Sequence, residues 1–288
     1  VKFKFNVKVD KIKVLNSTVS DIIANNTSIS FDKIIVCTGG VSYPLTGSTG
    51  DGLKFAKECG HNIVEVKPAL CGLNLKGKYF VEMQGLSLKN VGVTVHYGEK
   101  KIHNLFGELL FTHFGVSGPI ILTVSSLINR LDLNKVKLSI DLKPALTEEQ
   151  LDDRILRDFA SLPNKSIGIL LKGLLPSSII GEVLKRSGID FNKKVNSVSR
   201  NERAALLTTI KKFDMLVSSL RTFDEAIITS GGVDVKQINP KTMESKIVKG
   251  LYFCGEVLDV DALTGGFNLQ IAFATGYAAG NSIKLEEV

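Results

Sequence analysis

Two short apolar runs that end in glycine constrain the fold of this chain more than any other feature. The first run is Ile34–Cys37, which leads into Thr38-Gly39-Gly40; the second is Leu251–Cys254, which leads into Gly255-Glu256. Such runs are typical of buried parallel strands, whose carboxyl ends form the ligand-binding edge of an open α/β sheet. Taken alone, either junction is equally well explained by a plain turn that uses glycine.

A third glycine-rich segment, Gly265-Gly266-Phe267-Asn268, precedes a run of apolar and small residues and predicts the start of a helix. The first amides of a helix have no intrahelical partner, and the positive end of the helix dipole favours negative charge. The segment therefore predicts a contact with an anionic or electron-rich ligand. The alternative is an ordinary helix start in which glycine permits tight packing.

The rest of the chain divides by periodicity. Alternation over Val1–Val9 predicts a half-buried strand, Asn25-Asn26 predicts a hairpin turn, and Gly50 precedes a short helix that Gly60 ends. Residues 62–142 alternate between β-like stretches and glycine-rich turns, which favours a mostly antiparallel β domain.

Residues 144–222 predict a helical segment of at least three helices. Thr147-x-x-Gln150 and Ser199-x-x-Glu202 are both capping-box patterns. Leu151, Ile155 and Phe159 follow the first box, and Leu206, Ile210 and Phe213 follow the second, at helical spacing. Between them, Gly188 is expected to end a further helix.

Composition and cysteine spacing argue against a membrane protein and against a metal site. No apolar run reaches the roughly 20 residues of a membrane span, and the four cysteines form no C-x-x-C pair, so we expect neither a membrane segment nor a metal site. Free apolar cysteines favour a reducing, cytoplasmic location.

The net charge of the chain is +7, but residues 143–225 hold 14 Lys and Arg against 11 Asp and Glu, so the positive charge is not concentrated there. We therefore expect a solvated surface and no nucleic-acid partner.

Four segments carry a family resemblance: TGGVSYPLTGSTGDG at 38–52, GELLFTHFGVSGP at 107–119, TSGGVDVKQINPKTMESK at 229–246 and GLYFCGEVLDVDALTGGFNLQIAFATG at 250–276. They resemble the YhiN-like (BaiN-type) bacterial NAD(P)/FAD-dependent oxidoreductases, which include aminoacetone oxidases. The resemblance runs in order along essentially the whole chain.

The resemblance implies an α/β fold with a β-rich and a helical insert. An incomplete FAD-binding domain of the glutathione-reductase type would occupy residues 1–62 and 226–288. A β-barrel-like domain would occupy residues 63–143, and a helical cap residues 144–225.

The resemblance also implies an FAD site and its residues. Val9 would meet the adenine; Thr38, Gly39 and Gly40 would line the nucleotide. Gly255 and Glu256 would lie beside the ribityl chain and pyrophosphate. The flavin ring would contact the helix start, which comprises Gly265, Gly266, Phe267, Asn268 and Leu269.

The family's G-x-G-x-x-G motif has no counterpart in these 288 residues. Because VKFKFNVKV opens the chain without an initiator Met, we expect a longer parent protein with the dinucleotide-binding segment before Val1. That segment supplies the diphosphate cradle, so we expect the 288 residues alone to purify without bound FAD.

The expected activity is hydride transfer between FAD and a small organic substrate or NAD(P)H, the candidate co-substrate. A flavoprotein of RNA modification and a non-catalytic fragment without FAD are the alternatives. The catalytic residues stay unassigned, with His113 and Tyr43 as the candidates. His113 could donate a proton because a histidine titrates near neutrality, but it is better explained as ordering the Gly115–Gly118 turn. Tyr43 either faces the flavin or packs under it.

Overall fold

The computed structural model describes residues 1–283, and the chain forms two compact units. The terminal unit comprises Val1–Leu70 and the chain from Thr222 onward, and the inserted unit comprises Cys71–Arg221. Each unit has its own cluster of buried apolar residues. The two units are described separately below.

Within residues 1–283, the terminal unit contains three small sheets and two α-helices. A meander of three antiparallel strands opens it, and the hairpin turn at Asn25-Asn26 is confirmed, with φ values of 47° and 61°. The elements are β1 (Val9–Leu15), β2 (Thr18–Ala24), β3 (Thr27–Ser30), β4 (Ile34–Val36), α1 (Asp51–Glu58), β5 (Ile63–Ala69), β12 (Ile228–Val233), β13 (Leu251–Phe253) and α7 (Phe267–Ser282).

The two runs that end in glycine form neighbouring strands, a pairing that the sequence had not specified. Strands β4 and β13 pair in parallel, with Ile34 opposite Leu251 and Val36 opposite Phe253. All of β13 is buried, but Ile35 of β4 is 41% exposed. The prediction of parallel strands is therefore confirmed, whereas full burial holds for β13 alone.

The predicted strand over Val1–Val9 is wrong for residues 1–8, because β1 begins only at Val9. Phe3 and Phe5 are exposed, and no described strand pairs with this segment. Alternation supplies a suitable side-chain pattern, but a strand also needs a neighbour for its backbone hydrogen bonds.

The inserted unit is built on a closed barrel of six strands in the order β10-β11-β6-β9-β8-β7. The predicted barrel-like β-rich region is thus present. Its strands are β6 (Leu73–Leu75), β7 (Ser87–Tyr97), β8 (Lys100–Phe111), β9 (Gly115–Ser117), β10 (Val136–Asp141) and β11 (Phe213–Leu220).

The helices of this unit are α2 (Pro119–Ile128), α3 (Glu148–Ser161), α4 (Ile167–Leu170), α5 (Ser177–Arg186) and α6 (Arg200–Lys211). Both capping boxes are confirmed: Thr147 caps α3 together with Gln150, and Ser199 caps α6 together with Glu202. Lys193 and two Ser199 hydrogen bonds hold the pKa of Glu202 at about 2, so this box stays charged well below neutrality.

Two elements of the inserted unit were not predicted. Helix α2 falls in the region expected to be β, and it buries Ile120, Ile121, Val124 and Ile128. Strand β11 begins at Phe213, which sequence periodicity had placed on the preceding helix. Buried positions continue from α6 into β11, so the apolar spacing alone does not mark where the backbone changes.

A single buried cluster joins the barrel to its helices. It includes Leu138 and Phe213 from the strands and Leu151, Ile179 and Leu206 from the helices. The helices of residues 144–225 thus share their core with the barrel. The division into a β-rich domain and a separate helical cap stays a prediction.

Two helical glycines differ in what surrounds them and predict opposite effects on stability. A Cβ at Gly181, in the middle of α5, would meet nothing within 4 Å. We expect Gly181→Ala to raise the free energy of unfolding by about 0.5–1 kcal/mol through lost chain entropy in the unfolded state. A Cβ at Gly52 of α1 would overlap Thr38 Oγ1 and lie 3.0 Å from Val36 and Val257.

Gly52→Ala is expected to lower the free energy of unfolding by about 1–3 kcal/mol because it overpacks a filled site. Urea denaturation of both variants is the measurement. Equal changes in the two proteins would contradict this account of the packing around α1.

Candidate functional site

Three glycine-containing segments, distant in sequence, converge in the terminal unit. The amide of Thr229 donates to Glu256 Oε1 at 2.7 Å. A Cβ at Gly40 would overlap Thr229 Oγ1 and lie 2.7 Å from Glu256 Oε1. The Thr38–Gly40 junction, the start of the TSGG segment and the Gly255-Glu256 junction therefore meet around one carboxylate.

Thr229 organises this convergence, although it was not among the predicted site residues. Its hydroxyl oxygen accepts from the amides of Val41 at 2.8 Å and Ser42 at 3.1 Å, and it lies 3.1 Å from Ser42 Oγ. Thr229 thereby holds the loop after Gly40 against β12. The TSGG motif was visible in the sequence, but the partner of its threonine is 188 residues away.

A cavity of about 430 Å³ lies next to this convergence, within the terminal unit. Its volume is within the usual range for a small-molecule site. Five predicted flavin residues line it: Glu256, Gly265, Gly266, Asn268 and Leu269. Most of the remaining wall is apolar, from Leu70, Ile227, Ile228, Val260, Ile271 and Ala272.

The start of α7 forms one wall of the cavity. Gly266 is the N-cap, at φ 86°, and no side chain caps the first amides of the helix. A Cβ at Gly266 would meet nothing within 4 Å, so the space beside this backbone is open. The first amides of α7 are thus available to an acceptor in the cavity.

Asn268 holds the loop that precedes the helix. Its Nδ2 donates to Ala262 O at 2.7 Å, and its Oδ1 accepts from Ala262 N at 2.8 Å. The side-chain amide is therefore engaged with the loop. We expect Asn268 to position the helix start rather than to bind a ligand through its side chain.

The remaining predicted cofactor residues do not line this cavity. Gly39 and Gly255 adopt φ values of 73° and 74°, which a residue with a Cβ rarely adopts. Gly255 N donates to Thr275 Oγ1 at 2.9 Å, and Phe267 is exposed at the helix start. Val9 and Thr38 line a different cavity, of about 210 Å³, on the β4 side.

The two candidate catalytic residues lie in different units. Tyr43, in the terminal unit, has a left-handed backbone at φ 51° and an exposed side chain; its amide donates to Phe223 O at 3.0 Å. His113, in the inserted unit, is an exposed residue whose ring packs edge-on against Phe114. Neither residue lines the cavity of the terminal unit, so both assignments stay predictions.

These residues fit the flavin end of FAD. A planar, mostly apolar ring suits the apolar walls, and its polar edge suits the uncapped amides of α7. Glu256 Oε1 is bonded to Thr229, whereas no described residue donates to Oε2, which leaves an acceptor for hydroxyl groups. The fit covers the ring and the ribityl chain; the diphosphate would need further residues.

Neither a metal cluster nor a membrane-crossing helix occurs in the described part of the chain. Residues 1–283 contain no cluster of three His, Cys, Asp or Glu that could hold a metal ion. None of the helices within those residues combines the length and the apolarity that a membrane crossing requires.

Comparison with known proteins identifies the family of the chain. Residues 1–282 match the family model described as the HI0933-like protein Rossmann domain. The chain belongs to this family. The match spans both compact units and confirms the family resemblance of the four sequence segments.

Three characterised relatives are similar over most of the chain. A 3-dehydro-bile acid delta(4,6)-reductase from Clostridium scindens is 29% identical over 284 residues, 98% of this chain and 69% of the relative. A ribosomal RNA dihydrouridine synthase from Haemophilus influenzae is 32% identical over 261 residues, 90% of this chain and 62% of the relative. The same enzyme from Escherichia coli is 29% identical over 265 residues, with coverages of 90% and 62%. The chain thus spans 62–69% of the length of these relatives.

Proposed function

We propose that the protein is a flavin-dependent oxidoreductase that saturates a carbon–carbon double bond, with an FAD site of the glutathione-reductase type. The observation that carries the proposal is the cavity where Glu256 and the uncapped start of α7 face the same space. The family match and the reductase relative support it. NAD(P)H is the proposed source of electrons.

Each residue of the site has a definite part in the proposal. The amides at the start of α7 donate to the polar edge of the flavin ring, and the apolar walls exclude water from its face. Glu256 Oε2 accepts from ribityl hydroxyls, while Thr229 and Asn268 fix the surrounding loops. When bound, FAD supplies the hydride.

The names of the relatives point to one reaction type. A delta(4,6)-reductase acts on double bonds of a 3-oxo bile acid, and dihydrouridine is uridine with one double bond saturated. Both substrates carry a carbonyl from which a double bond can be polarised. We therefore propose an enone-like or uracil-like acceptor for this chain.

One observation favours RNA as a second candidate substrate. The inserted unit holds 22 Lys and Arg against 14 Asp and Glu, and the rest of the chain holds 14 against 15. The positive charge is thus concentrated on the inserted unit, which a count over residues 143–225 does not reveal. A basic unit attracts phosphate backbones.

An anaerobic assay tests the proposal. The protein is mixed with FAD and NADH or NADPH, and then offered a 3-oxo steroid with a conjugated double bond or a uridine-containing RNA. A product heavier by two hydrogen atoms identifies the substrate class. Flavin reduction without turnover of either substrate would contradict double-bond saturation, and absence of FAD binding even at high concentrations of added FAD would contradict the flavin site.

A substitution at Gly266 tests the helix start. Gly266→Asn fills the open space beside the helix start, and asparagine tolerates a left-handed backbone. We expect FAD affinity to fall about tenfold or more by steric exclusion. A residual bound flavin should become harder to reduce by some tens of millivolts, since helix-terminus effects of about 0.3–2 kcal/mol stabilise negative charge.

The matched control is Gly276→Asn on the same helix, where a Cβ also meets nothing within 4 Å. FAD titration followed by fluorescence, together with spectroelectrochemistry, measures both variants. Equal FAD affinity in the two proteins would remove the helix start from the flavin site.

A further inference from the structure

Two cysteines end the paired parallel strands β4 and β13. Because Val36 lies opposite Phe253, the next opposed residues are Cys37 and Cys254, and Cys254 N donates to Val36 O at 3.0 Å. Neighbouring strands lie about 4.8 Å apart, within the range of about 4.4–6.8 Å between Cα atoms that a disulfide spans. The register thus places the two residues at a Cα separation that a disulfide can span.

The two thiols are not equivalent. Cys37 is exposed, whereas Cys254 is 2% exposed. The neighbouring Cys254 thiol lowers the pKa of Cys37 to about 7, against the opposing effect of burial. The neighbouring Cys37 group, together with burial, raises the pKa of Cys254, whose Sγ donates to Thr275 O at 3.5 Å. Cys37 therefore supplies an accessible thiolate near neutral pH, and Cys254 stays protonated behind it.

The other cysteines provide internal controls. Both Cys59 and Cys71 are buried. Burial is the main cause that raises the pKa of the Cys59 thiol. A buried thiol that stays protonated is a poor nucleophile.

We propose that Cys37 and Cys254 form a peroxide-sensitive dithiol beside the candidate cofactor site. The Cys37 thiolate attacks one oxygen of hydrogen peroxide; the O–O bond breaks, hydroxide leaves, and the sulfur is oxidised to a sulfenic acid. The Cys254 sulfur then attacks that sulfur. An S–S bond forms, the S–O bond breaks, and the oxygen leaves as water with the proton of Cys254.

The location gives the oxidation a structural consequence. Cys37 directly precedes Thr38-Gly39-Gly40, and Cys254 directly precedes Gly255-Glu256. A covalent bond between them joins the two glycine junctions at their first residues. The inference rests on the strand register and thiol exposure, and is independent of the proposed activity.

The test counts thiols in the 288-residue chain before and after a slight molar excess of hydrogen peroxide. Denatured protein has four thiols before treatment and is expected to have two afterwards, with a Cys37–Cys254 peptide in the digest. The Cys59→Ala/Cys71→Ala double variant should still lose two thiols. Cys254→Ala should stop at a sulfenic acid on Cys37, which dimedone traps, and Cys37→Ala should form no disulfide.

Four thiols remaining in the treated wild type, or a disulfide that involves Cys59 or Cys71, would overturn the proposal. A second measurement needs no variant: the rate of Cys37 alkylation by iodoacetamide should rise with a midpoint near pH 7. Cys254→Ala should slow alkylation at pH 7 about fivefold, because the smaller thiolate fraction outweighs its higher nucleophilicity. A midpoint at the ordinary thiol value in the wild type would contradict the proposed reactivity.

Discussion

Gly40→Ala is expected to lower the free energy of unfolding of the terminal unit by about 3 kcal/mol or more. The added Cβ would overlap Thr229 Oγ1 and lie 2.6 Å from Thr229 Cβ and 2.7 Å from Glu256 Oε1. Overpacking costs about 1–3 kcal/mol. Displacing Thr229 would also leave the amides of Val41 and Ser42 without their acceptor, at about 1–3 kcal/mol for each unsatisfied group.

The measurement is urea denaturation, combined with hydrogen exchange at the Thr229 amide, which Glu256 protects. Gly276→Ala is the control, because its Cβ would meet nothing within 4 Å. We expect the control to unfold at the same or a higher urea concentration. Faster exchange of the Thr229 amide in Gly40→Ala, but not in the control, would show that the structure is disturbed where Gly40, Thr229 and Glu256 meet. Unchanged exchange and stability would mean that glycine is not required at residue 40.

Gly40 also illustrates what a glycine motif can and cannot predict. The sequence analysis placed Gly40 against the nucleotide part of the cofactor. In the structure, that space is filled by Thr229 and Glu256, so Gly40 permits three chain segments to meet. Gly266 is the opposite case, because the space beside it is open. The motif predicted that glycine is needed at both positions, but it could not distinguish packing from ligand contact.

Local chemistry accounts for the features that the sequence predicted well. Each capping box closes within four residues, and the Asn25-Asn26 turn depends on two backbone conformations that asparagine tolerates. Strands β4 and β13 were predicted because a short, continuous apolar run that stops at glycine is typical of a buried parallel strand. Each of these features can be recognised without knowing its distant partner.

The features that were missed depend on distant partners or lack a polar face. Helix α2 is apolar on most sides, so its sequence shows no helical alternation. Residues 1–8 have strand alternation but no described neighbour. Thr229 acquires its role only when it meets a loop 188 residues earlier in the chain. These contacts form only when the chain folds, so the spacing of residues along the sequence does not predict them.

One arginine adds polar and aromatic contacts to the apolar core that helix α5 shares with the barrel. The Arg186 guanidinium of α5 lies 3.9 Å from the ring centroid of Phe213 and 4.5 Å from that of Tyr79. Its Nε donates to Glu182 at 2.7 Å, and its Nη1 donates to Asp214 O. The side chains of Arg186 and Glu182 are only 23% and 13% exposed. The ion pair between Arg186 and Glu182 therefore stabilises the fold more than a surface ion pair does.

Arg186→Ala is expected to lower the free energy of unfolding of the inserted unit by about 3 kcal/mol or more. The substitution leaves the Glu182 carboxylate without its ion-pair partner. Breaking a fully buried ion pair in this way lowers the free energy of unfolding by about 3–5 kcal/mol. The cation–π contacts add about 0.5–2 kcal/mol. The pKa of Tyr79, already raised by burial, should rise further because Arg186 opposes that shift.

The control is Arg154→Ala, which removes an arginine with the same four-residue spacing to its carboxylate, Asp158, on α3. The Arg154 side chain is 44% exposed, so we expect a loss of at most about 0.5 kcal/mol. Urea denaturation and a spectrophotometric tyrosine titration measure both variants. Both ion pairs have the same four-residue spacing. The difference between the two losses of unfolding free energy therefore measures what the aromatic rings and the burial contribute at Arg186. Similar losses in the two variants would show that helix α5 is held to the barrel by apolar packing, with Arg186 acting only as a surface charge.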